Sequence, residues 1–472
     1  MVMVRKCRPF PLMSPIFLLL CLALLAAQFT LPRRYAFAPL LVAVCHFQNV
    51  AVIQVGVTFS VAKLVILAGL IRATYERRIV LSSRQSLDVL VVGWMCWAVL
   101  SGFFHSARDY NPITIRLSLA YDAFGAYLYA RSYLRNQSDF LRFIKCLALV
   151  VIPLAALLLL EKASARNFYG AIAGGIHEVE VRGGRLRAMG PFLHSILAGT
   201  FGATVFLLLV PLRSSNPRLA AAGAAACGTI VFSSASSGPI MTLLSGLMAL
   251  ALWRFRKSVR WIRMVVLFAI VALHLIMEAP VWYLMARIDL AGGSTGWHRA
   301  ELITAALKYI DEWWLVGTDY TRHWIAYGVG WSSDQTDLTN DYLSMGVWGG
   351  LPLMLLFIAV LMKAFKLLGQ RIHELRRTGN RAEFVLWCVG SSLFAHCVTF
   401  LSIAYFDQSR IAFWMVIGAV PGLCAATFSG PVAVVPEATN RTSGLDQRSN
   451  GEPDGGVDRG RTVNTACISS SP

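Results

Sequence analysis

GGSTGWHRAELITAALKYIDEWWLVGTDYTRHW, residues 292–324, and TDLTNDYLSMGVWGG, residues 336–350, form the stretch around which the chain is organised. They belong to a polar, aromatic-rich segment from about Ala286 to Gly350, with an apolar run on either side. The segment gathers Arg, His, Asp and Trp more densely than any other part of the molecule, so chemistry is expected here first.

Working outward, 56% of the 472 residues are hydrophobic and 14% are charged, a balance that a water-exposed surface does not tolerate at this length. Apolar runs of roughly 18 residues recur, each long enough to cross a hydrocarbon layer of about 30 Å as a helix. Backbone groups find no water in lipid, so the spans are expected to be helices. The net charge of +18 resembles that of a nucleic-acid binder. The Lys and Arg residues stand in short clusters beside apolar runs, however, where the preference for positive cytoplasmic loops accounts for them, and no nucleic-acid partner is expected. The ten cysteines are scattered without a C-x-x-C pair, which indicates neither a disulfide framework nor a metal site.

In chain order, the apolar run to Phe29 reads as a retained first span. Tyr35 to Gln48 is apolar but short and reads as re-entrant or interfacial, while Ile53 to Ile71 is long enough to span. A hairpin of spans follows at about Leu87–Phe104 and Ile113–Ala130, then a span to about Leu160 and an outer segment, Glu161 to Met189. Further spans are expected at about Phe192–Leu212, Leu219–Ser234, Pro239–Trp253 and Met264–Tyr283. After the long loop at about 285–345 come Gly346–Met362, Phe384–Ala404 and Ile411–Phe428. The fold class is therefore all-α and polytopic, with roughly 12 spans and both termini cytoplasmic, the count that keeps the basic loops inside. Residues 1–428 make one transmembrane domain, and 429–472, rich in Gly, Ser, Pro, Asn and Asp, read as a disordered cytoplasmic tail.

Arg116 and Asp122, six positions apart in one span, are candidates by cost alone: charge inside a membrane faces a wet or protein-lined cavity, or pairs with its opposite. On the outer side, Arg185, Arg187, Arg287, Arg299 and Arg322 run against the topological preference, and their forked donors suit phosphate oxygens. Trp297 to Ile310 fits an amphipathic helix, with Ser294 or Thr295 as its cap after the Gly292-Gly293 turn. Arg299 in its first turn opposes the helix dipole, yet it can join free N–H groups in holding an anion. Arg187, at the mouth of the next span, is a second arm of such a clamp. Trp297, Trp313, Trp314, Tyr320, Trp324, Tyr327 and Trp331 either stack on sugars or anchor the loop at a membrane interface. The run Ser233–Pro239 reads as a tight turn between two spans. No phosphate-loop, H-E-x-x-H or G-x-S-x-G pattern is present.

The segments WHRAELITAAL, LVGTD and TNDYL followed by GVWGGLPLMLL resemble the signature region of the O-antigen ligase and polymerase superfamily, and RLRAMGPFLHSILAGTF resembles that family's upstream arginine segment. The resemblance implies a GT-C-like membrane glycosyltransferase of the bacterial inner membrane. Its donor would be an undecaprenyl-pyrophosphate-linked glycan and its acceptor another glycan or lipid A core, with neither metal nor cofactor. A flippase and a chain-length regulator would be its partners. Carried over by position, Arg187 and Arg299 hold the pyrophosphate, and Asn340 and Tyr342 match the end of the family's His-Asn-x-Tyr-Leu pattern. Thr339 stands where that pattern has histidine. A threonine hydroxyl is a poor base, so Asp337, His298 or His323 is expected to take that part, with Arg185, His298, Arg322, Trp313 and Tyr342 contacting substrate. The missing histidine favours a polysaccharide polymerase over a ligase. From other classes, a transporter or flippase of an anionic lipid or solute, or a non-catalytic assembly partner, remains open.

Overall fold

The computed structural model describes residues 15–48, 52–55, 57–79, 81, 85–108, 110–173, 178–287, 296–326, 328–329 and 332–425. Among them the chain is mostly helical, with two small antiparallel ribbons. The helices used below are α1 (Pro15–Thr30), α2 (Ala38–His46), α3 (Val61–Tyr75), α4 (Ser86–Ser101), α5 (Pro112–Ala120), α6 (Ala126–Tyr133), α7 (Gln137–Ser164) and α8 (Phe168–Ala173). They continue as α9 (Ser195–Leu209), α10 (Pro217–Ser233), α11 (Ser237–Ala251), α12 (Val259–Ile276), α13 (Gly296–Lys308) and α14 (Ile310–Trp313). The last three are α15 (Asp341–Arg377), α16 (Ala382–Phe400) and α17 (Gln408–Cys424).

Among the described residues seven helices are long and apolar enough to cross a membrane: Ser86–Phe104, Gln137–Ser164, Ser195–Ser214, Ser237–Phe255, Val259–Ile276, Asp341–Arg377 and Ala382–Phe400. The chain is a helical membrane protein. α1 is apolar but stops at 16 residues. α2 is a nine-residue helix whose Leu40, Leu41, Val44 and Cys45 are buried; at 1.5 Å per residue it is too short to span. The run from Ile53 to Ile71, expected as one span, is corrected by the structure. Its first half is a ribbon of β1 (Val52–Val55) and β2 (Val57–Ser60), and only α3 is helical. The β-branched and aromatic residues of VIQV and VTFS explain this, because they favour extended backbone over helix. The N-terminal residues before Pro15, the Ser294 or Thr295 cap, the Gly292-Gly293 turn, Tyr327, Trp331 and the tail lie outside the described residues.

Opposite ends of the helices carry different chemistry. One end holds the basic clusters, where Arg131 forks onto Asp88 at 3.0 and 3.1 Å and Arg256 meets Glu383 at 2.9 Å. The other end gathers the start of α9, the turn between α10 and α11, the start of α15 and the α16–α17 turn. Cross-links fix it: Asn340 Nδ2 donates to the Leu401 carbonyl at 3.1 Å and Leu193 N–H to Asp407 at 3.1 Å.

α15 is broken. Gly349 and Gly350 leave helical geometry, Gly350 at φ 72°, and Pro352 follows. The backbone groups released by the break are taken by other segments: Leu351 N–H donates to the Trp314 carbonyl at 2.7 Å, and the Val347 carbonyl accepts from Thr318 N–H at 2.9 Å. The Trp348 carbonyl accepts from Ser101 and the Gly349 carbonyl from the Trp97 indole. The long loop is thereby docked on the bundle, over its own small core of Leu302, Ala306, Trp313, Trp324, Ile325 and Val347. A Cβ at position 350 would sit 2.2 Å from the Leu315 carbonyl oxygen, a backbone atom that cannot swing away. Gly350→Ala is therefore expected to lower the thermal unfolding midpoint, by an energy of about 1–3 kcal/mol, and to make residues 310–320 newly sensitive to limited proteolysis; unchanged melting and cleavage would show that the break does not hold the loop.

Candidate functional site

EVRGGRLR, residues 180–187, folds as a tight hairpin of β3 (Glu180–Arg182) and β4 (Arg185–Arg187) around Gly183 and Gly184, both at positive φ. Two consecutive glycines supply the turn that matches strand twist. The register pairs Glu180 with Arg187 and Arg182 with Arg185. Side chains alternate along a strand, so the four charged residues share one face and Val181 and Leu186 the other.

Arg187 is buried. Its guanidinium donates to the Glu180 carboxylate and the Ser236 hydroxyl, and Nε reaches the Ser234 carbonyl at 3.4 Å. The adjacent Ala188 N–H donates to the Ser233 carbonyl. The serine run between α10 and α11 is a turn, as expected, and its acceptors seat Arg187. Behind Arg187, Glu161 accepts from the N–H groups of Met189 and Gly190, both at 2.9 Å, and fixes where the hairpin leaves. Burial lowers the pKa of Arg187 and the Glu180 carboxylate opposes that shift.

Arg299 lies in the first turn of α13, half-buried, with its Nε enclosed and unpartnered. Burial lowers its pKa, Arg182 lowers it further and Asp337 raises it. Arg182 also weighs on Arg187. Arg182 is thus within electrostatic reach of both Arg187 on the hairpin and Arg299 on the long loop. The exposed Asp337 is the carboxylate on the loop side, and its carbonyl lies 3.3 Å from His298 Nε2.

His194 completes the group. Its Nδ1 accepts from Ile196 N–H as the cap of α9, and Nε2 lies 3.5 Å from Glu180. Burial lowers its pKa; Glu180 and Asp337 raise it, and Arg187 and Arg182 lower it. With Nδ1 accepting, the neutral ring carries its proton on Nε2. His194 is then a fixed donor beside Glu180.

The other expected residues are placed differently. Asn340 caps α15 by accepting from Leu343 N–H, and its NH2 is bound to Leu401, so both ends of the amide serve the fold. Tyr342 donates to the Cys397 carbonyl and packs on Phe357 and Phe400. Trp313 is 3% exposed and donates to the Ala306 carbonyl, which leaves no face for a sugar. Arg322 donates to the carbonyls of Ile325 and Ala326 in its own turn. Asn340, expected as a catalytic residue, and Tyr342, Trp313 and Arg322, expected at substrate, thus each make contacts within the fold. Arg185 is exposed at the hairpin rim near Lys162, and His323 is bound to Glu312 at 2.9 Å. Thr339, at the position of the family histidine, keeps a buried hydroxyl with no partner. Asp122 meets Lys63 at 3.5 Å and not Arg116.

Sequence gives no site role to Glu180, Arg182, His194 or Ser236, although Arg182 stands in the outer segment and Ser236 in the Ser233–Pro239 turn. The alternation around Gly183-Gly184 was the available signal for the first two; nothing local marks the others. Among the described residues no group of His, Cys, Asp and Glu could hold a metal ion. No protein-family model matches the chain, and no curated protein matches it either.

Glu180→Gln removes the charge that offsets Arg187 and keeps the shape. The variant is expected to lose about 1.5–3 kcal/mol of stability, the range for a hydrogen bond to a charged group, in thermal unfolding of the detergent-solubilised protein. A Ser236→Ala variant should lose less, and equal losses would contradict the assignment of Glu180 as the main partner.

Proposed function

We propose that the chain is a membrane glycosyltransferase that polymerises or ligates glycans carried on undecaprenyl pyrophosphate, acting at the periplasmic face of a bacterial inner membrane in surface-polysaccharide synthesis. The observation that carries this reading is that Arg187 and Arg299, from distant parts of the chain, both lie within electrostatic reach of Arg182. Forked donors held in a partly desolvated site suit a diphosphate, whose charge grows as the glycosidic bond breaks. On this reading the basic end of the bundle is cytoplasmic, the spans number roughly 12 in a GT-C-like arrangement with both termini inside, and the long loop is periplasmic.

In the proposed step an acceptor hydroxyl attacks the anomeric carbon of the donor sugar. The bond from that carbon to the diphosphate oxygen breaks with inversion, its electron pair leaves with the lipid diphosphate, and the hydroxyl proton passes to Asp337. Arg187 and Arg299 hold the leaving diphosphate, and His194 Nε2–H donates to it. With Thr339 in place of a histidine, leaving-group stabilisation does more than base catalysis, and this favours polymerase over ligation to lipid A core. The break in α15 and the buried charges near it favour, as a second reading, a transporter of an anionic lipid.

The test is complementation of a deletion strain with wild type and Arg299→Ala, followed by glycan analysis. Wild type should restore long chains, and Arg299→Ala should leave product at least tenfold lower with normal protein levels in the membrane. Lipid-linked single repeats accumulating in the variant identify a polymerase, and free long chains lacking lipid A core identify a ligase. Glycans that are the same with wild type, variant or empty vector would reject both and leave the transporter.

A further inference from the structure

Arg116 and Asp122, costly inside a span and unused by the clamp, belong to a second group of buried charges. Arg116 on α5 is 1% exposed and Arg410 on α17 is 9% exposed. Their guanidinium carbons lie 5.5 and 5.3 Å from the same ring, Trp348. Arg410 donates to the Tyr405 carbonyl, yet its Nε is enclosed without a partner, as are Nε and Nη2 of Arg116. Among the described residues no carboxylate lies within ion-pair distance of either arginine. Asp122 meets Lys63, Asp341 accepts from Tyr405 N–H, and Asp407 accepts from Ser409 and Leu193 N–H. Asp319, within electrostatic reach of Arg116, is held by His105 and Ser106 N–H.

Two backbone irregularities meet at this place. Trp348 directly precedes the Gly349–Gly350 break in α15, and Asp122 sits in a π-helical turn, Tyr121–Gly125, between α5 and α6. π-turns and interrupted membrane helices recur where a protein binds a charged ligand. A stack on tryptophan offsets part of the cost of a buried guanidinium, but enclosed N–H groups without acceptors still call for a ligand or water. Tyr110 and Asp319 act on Arg116, and Arg410 acts on Asp122, Asp341 and Asp407, whereas the groups acting on the clamp are Glu180, Arg182 and Asp337. The two groups lie on different helices.

We propose that Arg116, Arg410 and Trp348 form a second anion site, which takes a phosphate-class group, either a free phosphate or the headgroup of an anionic lipid. The site is independent of the glycosyltransferase reading. An arriving oxyanion accepts from the unpartnered N–H groups of the two guanidiniums. Bound anion removes the unpartnered donors, so occupancy stabilises the folded chain in proportion to ligand concentration.

The test uses the full chain carrying Arg299→Ala, which disables the clamp, and compares it with the same chain carrying Arg116→Gln and Arg410→Gln in addition. Thermal unfolding is measured in detergent against inorganic pyrophosphate, and in nanodiscs of phosphatidylglycerol against phosphatidylcholine. The parent should melt at a higher temperature with pyrophosphate, which identifies a free phosphate, or only in phosphatidylglycerol, which identifies a lipid headgroup. In the Gln variant the half-maximal concentration should rise at least tenfold, or the phosphatidylglycerol shift should vanish, while the ligand-free midpoint stays at or above that of the parent. No shift with either probe, or the same shift in both proteins, overturns the site and leaves bridging water as the partner. Should the Gln variant not fold, Arg410→Lys keeps the charge and loses the fork. A tenfold weaker response then supports the site, and an unchanged one rejects it.

Discussion

The break in α15 at Gly349 and Gly350 is the constraint on which the rest of the loop end depends. An uninterrupted helix satisfies its own N–H and C=O groups and has nothing to offer a neighbour. By interrupting the ladder, the chain exposes Val347, Trp348, Gly349 and Leu351 to the long loop and to α4, and each finds a partner there. In a membrane protein such released groups must be met by protein. The loop that carries Arg299 and Asp337 is therefore held at a defined place over the bundle.

The same end of the molecule handles buried charge in two ways. Arg187 is closed in by the Glu180 carboxylate and the acceptors of a serine turn, and its position is settled before any ligand arrives. Arg299, Arg116 and Arg410 each keep an enclosed nitrogen without a partner. Three of the five Arg187 donors are engaged, which fixes its place and leaves N–H groups over, and an unpartnered guanidinium nitrogen favours whatever anion can reach it. The opposite end ties Arg131 and Arg256 into ordinary ion pairs.

Aromatic residues of the loop divide on similar grounds. Trp313 and Trp324 build its core, each with its indole N–H bound, while Trp297, Trp314 and Tyr320 remain exposed. Sequence offered all of them as sugar platforms or interface anchors, and burial separates the two inner ones from that list.

Membrane helices, the position of the long loop and the helix around Arg299 were legible in the sequence, because apolar run length and 3.6-residue periodicity are local properties. The VIQV–VTFS ribbon departs from its apolar run for a local reason too: β-branching there outweighs hydropathy. The hairpin EVRGGRLR could have been read from its paired glycines. Only tertiary structure decided that Glu180 and Ser236 enclose Arg187, that Asp122 meets Lys63 in place of Arg116, and that Asn340, Tyr342, Trp313 and Arg322 serve the fold. Which donor meets which acceptor depends on packing between helices far apart in the chain, and a residue type carries no record of its partner.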